Sequence, residues 1–270
     1  MGRGVSASAL DASALDAVKS VNPAELAQVD SAELLHAVPS GPLPRPLRAH
    51  DWLAKIGLVP IIERGASWDG PPIKALGDAA AAFFASPVRV LEAASVAPLD
   101  GGKFGCGKWQ LHVDPLLSKL TGLFDSAANA DLFCLVGITL ADLYSSPSDL
   151  FVAGMAAGGS GVAIFSFARY HPHVALSETH WWDYGERFGP GERSGCLYGL
   201  DHCVFHRCVM QGSGHLLEDY EAPMQLCRVC LSKLCFRLGF DLAQRATQLD
   251  FALTDGGCVW ARGQEGAAGA

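Results

Sequence analysis

Charge is scarce in this 270-residue chain. Only 18% of residues are Asp, Glu, Lys or Arg, and the 20 basic residues are outnumbered by 28 acidic ones, for a net charge of −8. A nucleic-acid binder usually carries a basic patch, so that class is excluded, and no nucleic-acid partner is expected. An uninterrupted apolar run is also lacking. The best candidate, Phe151 to Ala168, is broken by Gly154, Gly158, Gly159, Ser160 and Gly161. It reads as two buried strands joined by a glycine turn, and no membrane span is expected. Residues 1–20 have no apolar run and contain Asp11 and Asp16, so neither a signal peptide nor a transit peptide is expected. A cytoplasmic or nuclear location follows as the expectation. Gly2 and Ser6 fit the short myristoylation pattern, which would hold a membrane only weakly.

Half of the residues are hydrophobic, enough for a real core. Residues 7–16 repeat ASALD twice. Residues 1–48 read as a low-complexity or helical region closed by a linker rich in proline (Pro39, Pro42, Pro44, Pro46). Residues 49–85 read as a helical lead-in, with helices over Asp51–Leu58 and Ala75–Ala85. Val88–Leu91 then reads as the first core strand. Leu111–Phe124 has helical spacing, and Leu132–Leu143 and Val162–Ala168 read as buried strands. The alternation predicts an α/β fold (an α+β sandwich) over residues 86–245, followed by a flexible tail, 246–270.

The nine cysteines are not evenly spread: five fall between Cys196 and Cys230. Cys203 and Cys208 form a C-x4-C pair, Cys227 and Cys230 a C-x2-C pair, and eighteen residues separate the pairs. Two such knuckles can meet around one tetrahedral zinc. Four thiolates leave no open coordination position, so the expected site is structural and not catalytic. Cys106, Cys134, Cys235 and Cys258 read as small buried hydrophobes.

Upstream, Gly199 and His202 have G-x-x-H spacing, and Met210 follows Cys208 by two residues. With Leu132–Tyr144 (LFCLVGITLADLY) and Gly161–Tyr170 (GVAIFSFARY), this block resembles the archaemetzincin family of zinc metallopeptidases. The resemblance covers residues 88–235. It implies a metzincin-like mixed sheet with packed helices, a catalytic zinc, and a second zinc on four cysteines. It implies a peptide or protein substrate held along a sheet-edge strand at Ile164, Phe165, Ser166 and Phe167. It also implies that His202 is a zinc ligand and Met210 a Met-turn residue.

The family motif H-E-x-x-H-x-x-G-x-x-H is incomplete. Counting back from Gly199, Glu192 and Cys196 stand at the two histidine positions and Arg193 at that of the general base. No HExxH occurs anywhere in the chain. A guanidinium cannot accept a proton, and two histidines one helical turn apart are needed to grip zinc from one face. Residues 183–195 hold four glycines and a proline, which disfavours the active-site helix. Two accounts stay open: a segment ending before Cys196 has been dropped, or the chain is a pseudo-enzyme that binds peptides without cutting them. Glu192, Cys196 and His202 are possible ligands of a rebuilt site. His202 otherwise reads as a buried histidine beside the structural zinc.

Overall fold

A computed structural model describes residues 55–96, 102–170, 198, 200–204, 206–213, 218, 222–223 and 225–254. The first helical expectation is corrected at once. Lys55–Glu63 is a strand, β1, and not the end of a helix over Asp51–Leu58. The stretch is crowded with Ile56, Val59, Ile61 and Ile62, whose branched side chains suit a pleated surface, and Pro60 cannot donate the hydrogen bond of a helix interior. Its position in the sheet suits a proline. β2 (Val88–Val90) pairs β1 only as far as Leu58, and β3 (Ala94–Val96) takes over at Ile61. The missing donor of Pro60 falls in the gap between them.

Helix α1 (Ile73–Phe84) returns the chain from β1 to β2, as the alanine-rich pattern predicts. It stops at Ala85, which turns left-handed at φ 48° and donates its N–H to Ala81. β4 (Lys103–Gly105) and β5 (Lys108–His112) form a hairpin over Cys106 and Gly107, both at positive φ. Two such residues are what a type I′ turn requires. Helix α2 (Val113–Phe124) follows, its first turn capped by His112 Nδ1, which accepts from the Asp114 N–H at 3.2 Å. Leu111 therefore belongs to a strand and not to the helix expected to include it. β6 (Leu132–Thr139) is buried at every residue, and β7 (Asp142–Tyr144) diverts into a second sheet. β8 (Gly154–Ala157) and β9 (Val162–Ser166) are the expected strand pair. Helices α3 (Arg228–Leu238) and α4 (Leu242–Thr254) close the described chain.

The main sheet runs β2-β1-β6-β9-β8, with β3 also on β1. All pairings are parallel except β8 with β9. A parallel sheet needs cover on both faces. On one face Val59, Ile61, Leu135, Val162 and Ile164 pack against Leu116, Leu120 and Phe124 of α2. On the other, Ile56, Leu58, Val136, Ile138 and Phe165 meet α1, α3 and the cysteine-rich segment. The smaller sheet, β4-β5-β7, stands beside them.

Val88–Val90 is neither the first core strand nor buried; it is a partly exposed edge, and β1 precedes it within the sheet. The sheet thus starts before residue 86, and 49–85 is not simply a helical lead-in. Ile164, Phe165 and Ser166 do not form a sheet edge, because β9 is flanked by β6 and β8; Phe167 follows the strand and is buried. The edge is β8. Residues 246–254 are the body of α4 and not tail: Arg245 on the same helix is buried and donates from Nε to the Phe83 carbonyl of α1 at 2.7 Å, with its guanidinium against the Phe83 and Phe240 rings. Burial lowers its pKa to about 10, leaving it charged at neutral pH. Residues 1–54 and the tail beyond 254 lie outside the described residues.

Gly137 of β6 lies beneath Leu120 of α2. A Cβ there would stand 2.8 Å from Leu120 Cδ1 and 3.3 Å from Ile61 Cγ1. Gly137→Ala is expected to lower stability by about 1–3 kcal/mol, as overpacking does. Chemical denaturation measures this, and an unchanged midpoint would show that α2 shifts freely.

Candidate metal centre

Four sulfurs converge where the cysteine-rich segment meets the N-terminus of α3. The ligand atoms of Cys203, Cys208, Cys227 and Cys230 all lie within 4.8 Å of one another. Cys203 Sγ and Cys227 Sγ are 3.7 Å apart. A zinc tetrahedron with Zn–S bonds of about 2.3 Å has sulfur–sulfur edges of about 3.8 Å, so the spacing fits that ion. Three of the four residues are buried and Cys227 is half-buried. Among the described residues this is the sole cluster of that kind.

The backbone builds the site locally. Cys227 is the N-cap of α3, and its sulfur accepts from the Cys230 N–H at 3.5 Å. Cys208 Sγ accepts from the N–H groups of Cys227 at 3.2 Å and Met210 at 3.5 Å. N–H groups aimed at sulfur favour the thiolate that a metal needs. Two backbone bonds close the knuckles: Cys203 N–H to the Met210 carbonyl at 2.7 Å, and Val209 N–H to the Gln225 carbonyl at 2.8 Å. Thiols this close share protons. Cys227 is held well below the usual thiol range by hydrogen bonds from Cys208 and then Cys230. The Cys208 thiol, donating to Cys227, is pushed up to about 12, and Cys230 is raised as well.

Met210 is fully buried beneath this cluster. His202 is exposed, which corrects the expectation of a buried histidine beside the zinc. Its ring lies against Gly212, where a Cβ would come within 2.5 Å of Nδ1. Cys134 is buried as expected and Cys235 half-buried, but Cys106, at the hairpin tip, is exposed. Glu192, Arg193 and Cys196 lie outside the described residues, as do Gly199 and Cys258.

The segment is fastened to the sheet by Tyr198. Its ring stacks on Phe133 with centroids 5.0 Å apart and tilts against Phe84 at 5.3 Å. Phe133 can reach it because β6 carries an extra residue there: Lys55 pairs Leu132 while Ile56 pairs Cys134. That bulge turns Phe133 to the same face as Cys134. The fully buried Tyr198 hydroxyl lies beside Cys134 and Ser86 without a well-formed hydrogen bond among the described residues, and burial raises its pKa well above the usual value.

Sequence reasoning also passed over Asp142, Arg169 and Gln110. Arg169 Nε donates to Asp142 Oδ1 at 3.0 Å, and Gln110 Nε2 to Asp142 Oδ2 at 2.9 Å. The pair ties the end of β9 to the smaller sheet. No spacing rule connects residues this far apart in the chain, so no sequence signal was available.

Fold and site together define an α/β protein with a mixed sheet and a C-terminal four-cysteine cluster suited to zinc. By sequence and fold the chain is similar to archaemetzincins. It is 37% identical over 163 residues to Archaemetzincin-2 of Macaca fascicularis, covering 50% of this chain and 44% of that one. It is 35% identical over 155 residues to Archaemetzincin-2 of Mus musculus (47% and 43%), and 32% over 171 residues to Archaemetzincin-1 of the same species (52% and 33%). The chain spans less than half the length of these curated relatives. The archaemetzincin of Methanopyrus kandleri shares the fold, with a TM-score of 0.54 and 22% identity over 72% of this chain and 100% of that one. So does a zinc-dependent peptidase of Methanocorpusculum labreanum, with a TM-score of 0.50 and 24% identity over 66% and 99%. No family model matches the chain.

Since the Tyr198 hydroxyl has no well-formed partner among the described residues, Tyr198→Phe is expected to leave stability unchanged or slightly raised, whereas Tyr198→Ala costs about 3–5 kcal/mol through the lost stack. Thermal unfolding of both variants checks this; a large loss in the Phe variant would reveal a partner for the hydroxyl.

Proposed function

We propose that this chain is an archaemetzincin-like zinc protein in which Cys203, Cys208, Cys227 and Cys230 hold one structural zinc and peptidase activity is impaired. The observation that carries the first half is the convergence of four sulfurs, all within 4.8 Å of one another and with Cys203 and Cys227 at 3.7 Å. The second half rests on the residues at the motif positions, Glu192-Arg193-x-x-Cys196 in place of HExxH. A complete motif would hold a zinc whose chemistry would be to activate a water for peptide hydrolysis. Here His202 stands at the third ligand position, with Glu192 and Cys196 as substitutes for the first two. Arg193 cannot take a proton from that water. Met210 underlies the four-cysteine site from the Met-turn position.

The alternative within the same fold is a zinc-stabilised protein that binds peptides without cutting them. Its support is an edge strand, β8, that can accept an extended segment by main-chain pairing. Ile164, Phe165, Ser166 and Phe167 would then line the neighbouring positions and not the edge itself. The net negative charge favours no nucleic-acid ligand, and the described residues contain no helix long and apolar enough to cross a membrane. A cytoplasmic or nuclear location remains the proposal.

Elemental analysis of the purified chain tests the zinc assignment. About one zinc per chain is expected, and almost none in Cys227→Ser, with a lower melting temperature because metal binding is folding free energy. Lowering the pH through the thiol range is expected to weaken zinc binding, since protons compete for the same sulfurs. A quenched peptide library is expected to show no zinc-dependent cleavage. About two zincs, with one retained in Cys227→Ser, would instead mean a second site rebuilt around His202, and would overturn the impaired reading if cleavage accompanied it.

A further inference from the structure

We infer that the four-cysteine site is a peroxide-sensitive zinc latch in which Cys203 and Cys227 form the disulfide that releases the metal. The inference rests on the zinc assignment above and assigns the ligands unequal roles. Three observations carry it. First, Cys227 is half-buried while the other three cysteines are buried, so it is the residue of the four nearest the solvent. Second, Cys203 Sγ lies 3.7 Å from Cys227 Sγ and belongs to the other knuckle. Closing that gap to the S–S bond length of about 2.05 Å is the movement the latch requires. Third, the knuckles have backbone bonds that owe nothing to the metal: Cys203 N–H to the Met210 carbonyl closes the first knuckle, and Val209 N–H to the Gln225 carbonyl ties it to the approach to Cys227. Leu200, Cys208, Met210, Cys230 and Leu234 are also packed in the core beneath the sheet. Zinc can therefore leave without dissolving the segment.

The chemistry balances with hydrogen peroxide as the oxidant. The Cys227 thiolate attacks one peroxide oxygen, forming S–OH and expelling hydroxide. The Cys203 thiolate then attacks the Cys227 sulfur, forming the S–S bond and expelling a second hydroxide. Two electrons pass from two sulfurs to peroxide, and two protons convert both hydroxides to water. Only Cys208 and Cys230 remain as thiolate ligands, too few to retain zinc against solution competitors. A dithiol reductant reverses the sequence by exchange, and zinc rebinds.

The test uses the full zinc-loaded chain carrying Cys106→Ser, which removes the exposed hairpin thiol from competition. Peroxide is added in the presence of a chromogenic zinc chelator, and non-reduced digests are mapped by mass spectrometry. The expected result is zinc release in step with a Cys203–Cys227 crosslink, an unchanged far-ultraviolet circular dichroism spectrum, and recovery of zinc after dithiothreitol. A dominant Cys227–Cys230 crosslink, zinc retained while other thiols oxidise, or unfolding in step with release would each overturn it. Absence of zinc before peroxide is added would overturn the metal assignment itself and this inference with it.

Discussion

Everything in this molecule hangs on the need to cover both faces of a parallel sheet. β1, β6 and β9 pair in parallel and are buried almost throughout. An uncovered face would leave a row of Ile, Leu and Val side chains in water. Among the described residues, α2 is the helix that covers one face, and it closes on Gly137, where an added Cβ would crowd Leu120. The other face needs more: α1, α3 and the cysteine-rich segment share it. The candidate metal centre is thus part of the core's lid.

Two contacts make that lid continuous. Tyr198 anchors the start of the cysteine segment by stacking on Phe133, which a bulge in β6 turns toward it. Arg245 anchors α4 to the end of α1 through the Phe83 carbonyl and two aromatic rings. Between them, Cys227 serves as both metal-ligand candidate and cap of α3. A metal bound there would fix the N-terminus of the helix that helps seal the face.

The sequence was informative where local chemistry is decisive. C-x4-C and C-x2-C spacing places thiols on short knuckles whatever surrounds them, so the four-sulfur cluster was legible. The alanine-rich run gave α1, and the apolar runs gave β6 and β9. It was less informative where an apolar stretch fits two structures. Lys55–Leu58 continues the helical pattern of the residues before it, yet β1 is a strand because pairing with β2 and β6 outweighs local preference. Leu111 likewise fits the helical spacing of α2 but joins β5, where it pairs with Leu143 of β7.

What the sequence determined by itself, then, is the chemistry: the four thiols and their spacing, the residues at the motif positions, the acidic balance and the apolar segments. These follow from residue identity and short-range geometry. The tertiary structure decided the rest. It made β8, not β9, the edge, because strand order is set by long-range pairing. It turned His202 outward, matched Asp142 with Arg169 across the chain, and set Cys227 nearest the solvent. Each depends on which surfaces remain uncovered once the sheet is assembled, and no local pattern of residues encodes that.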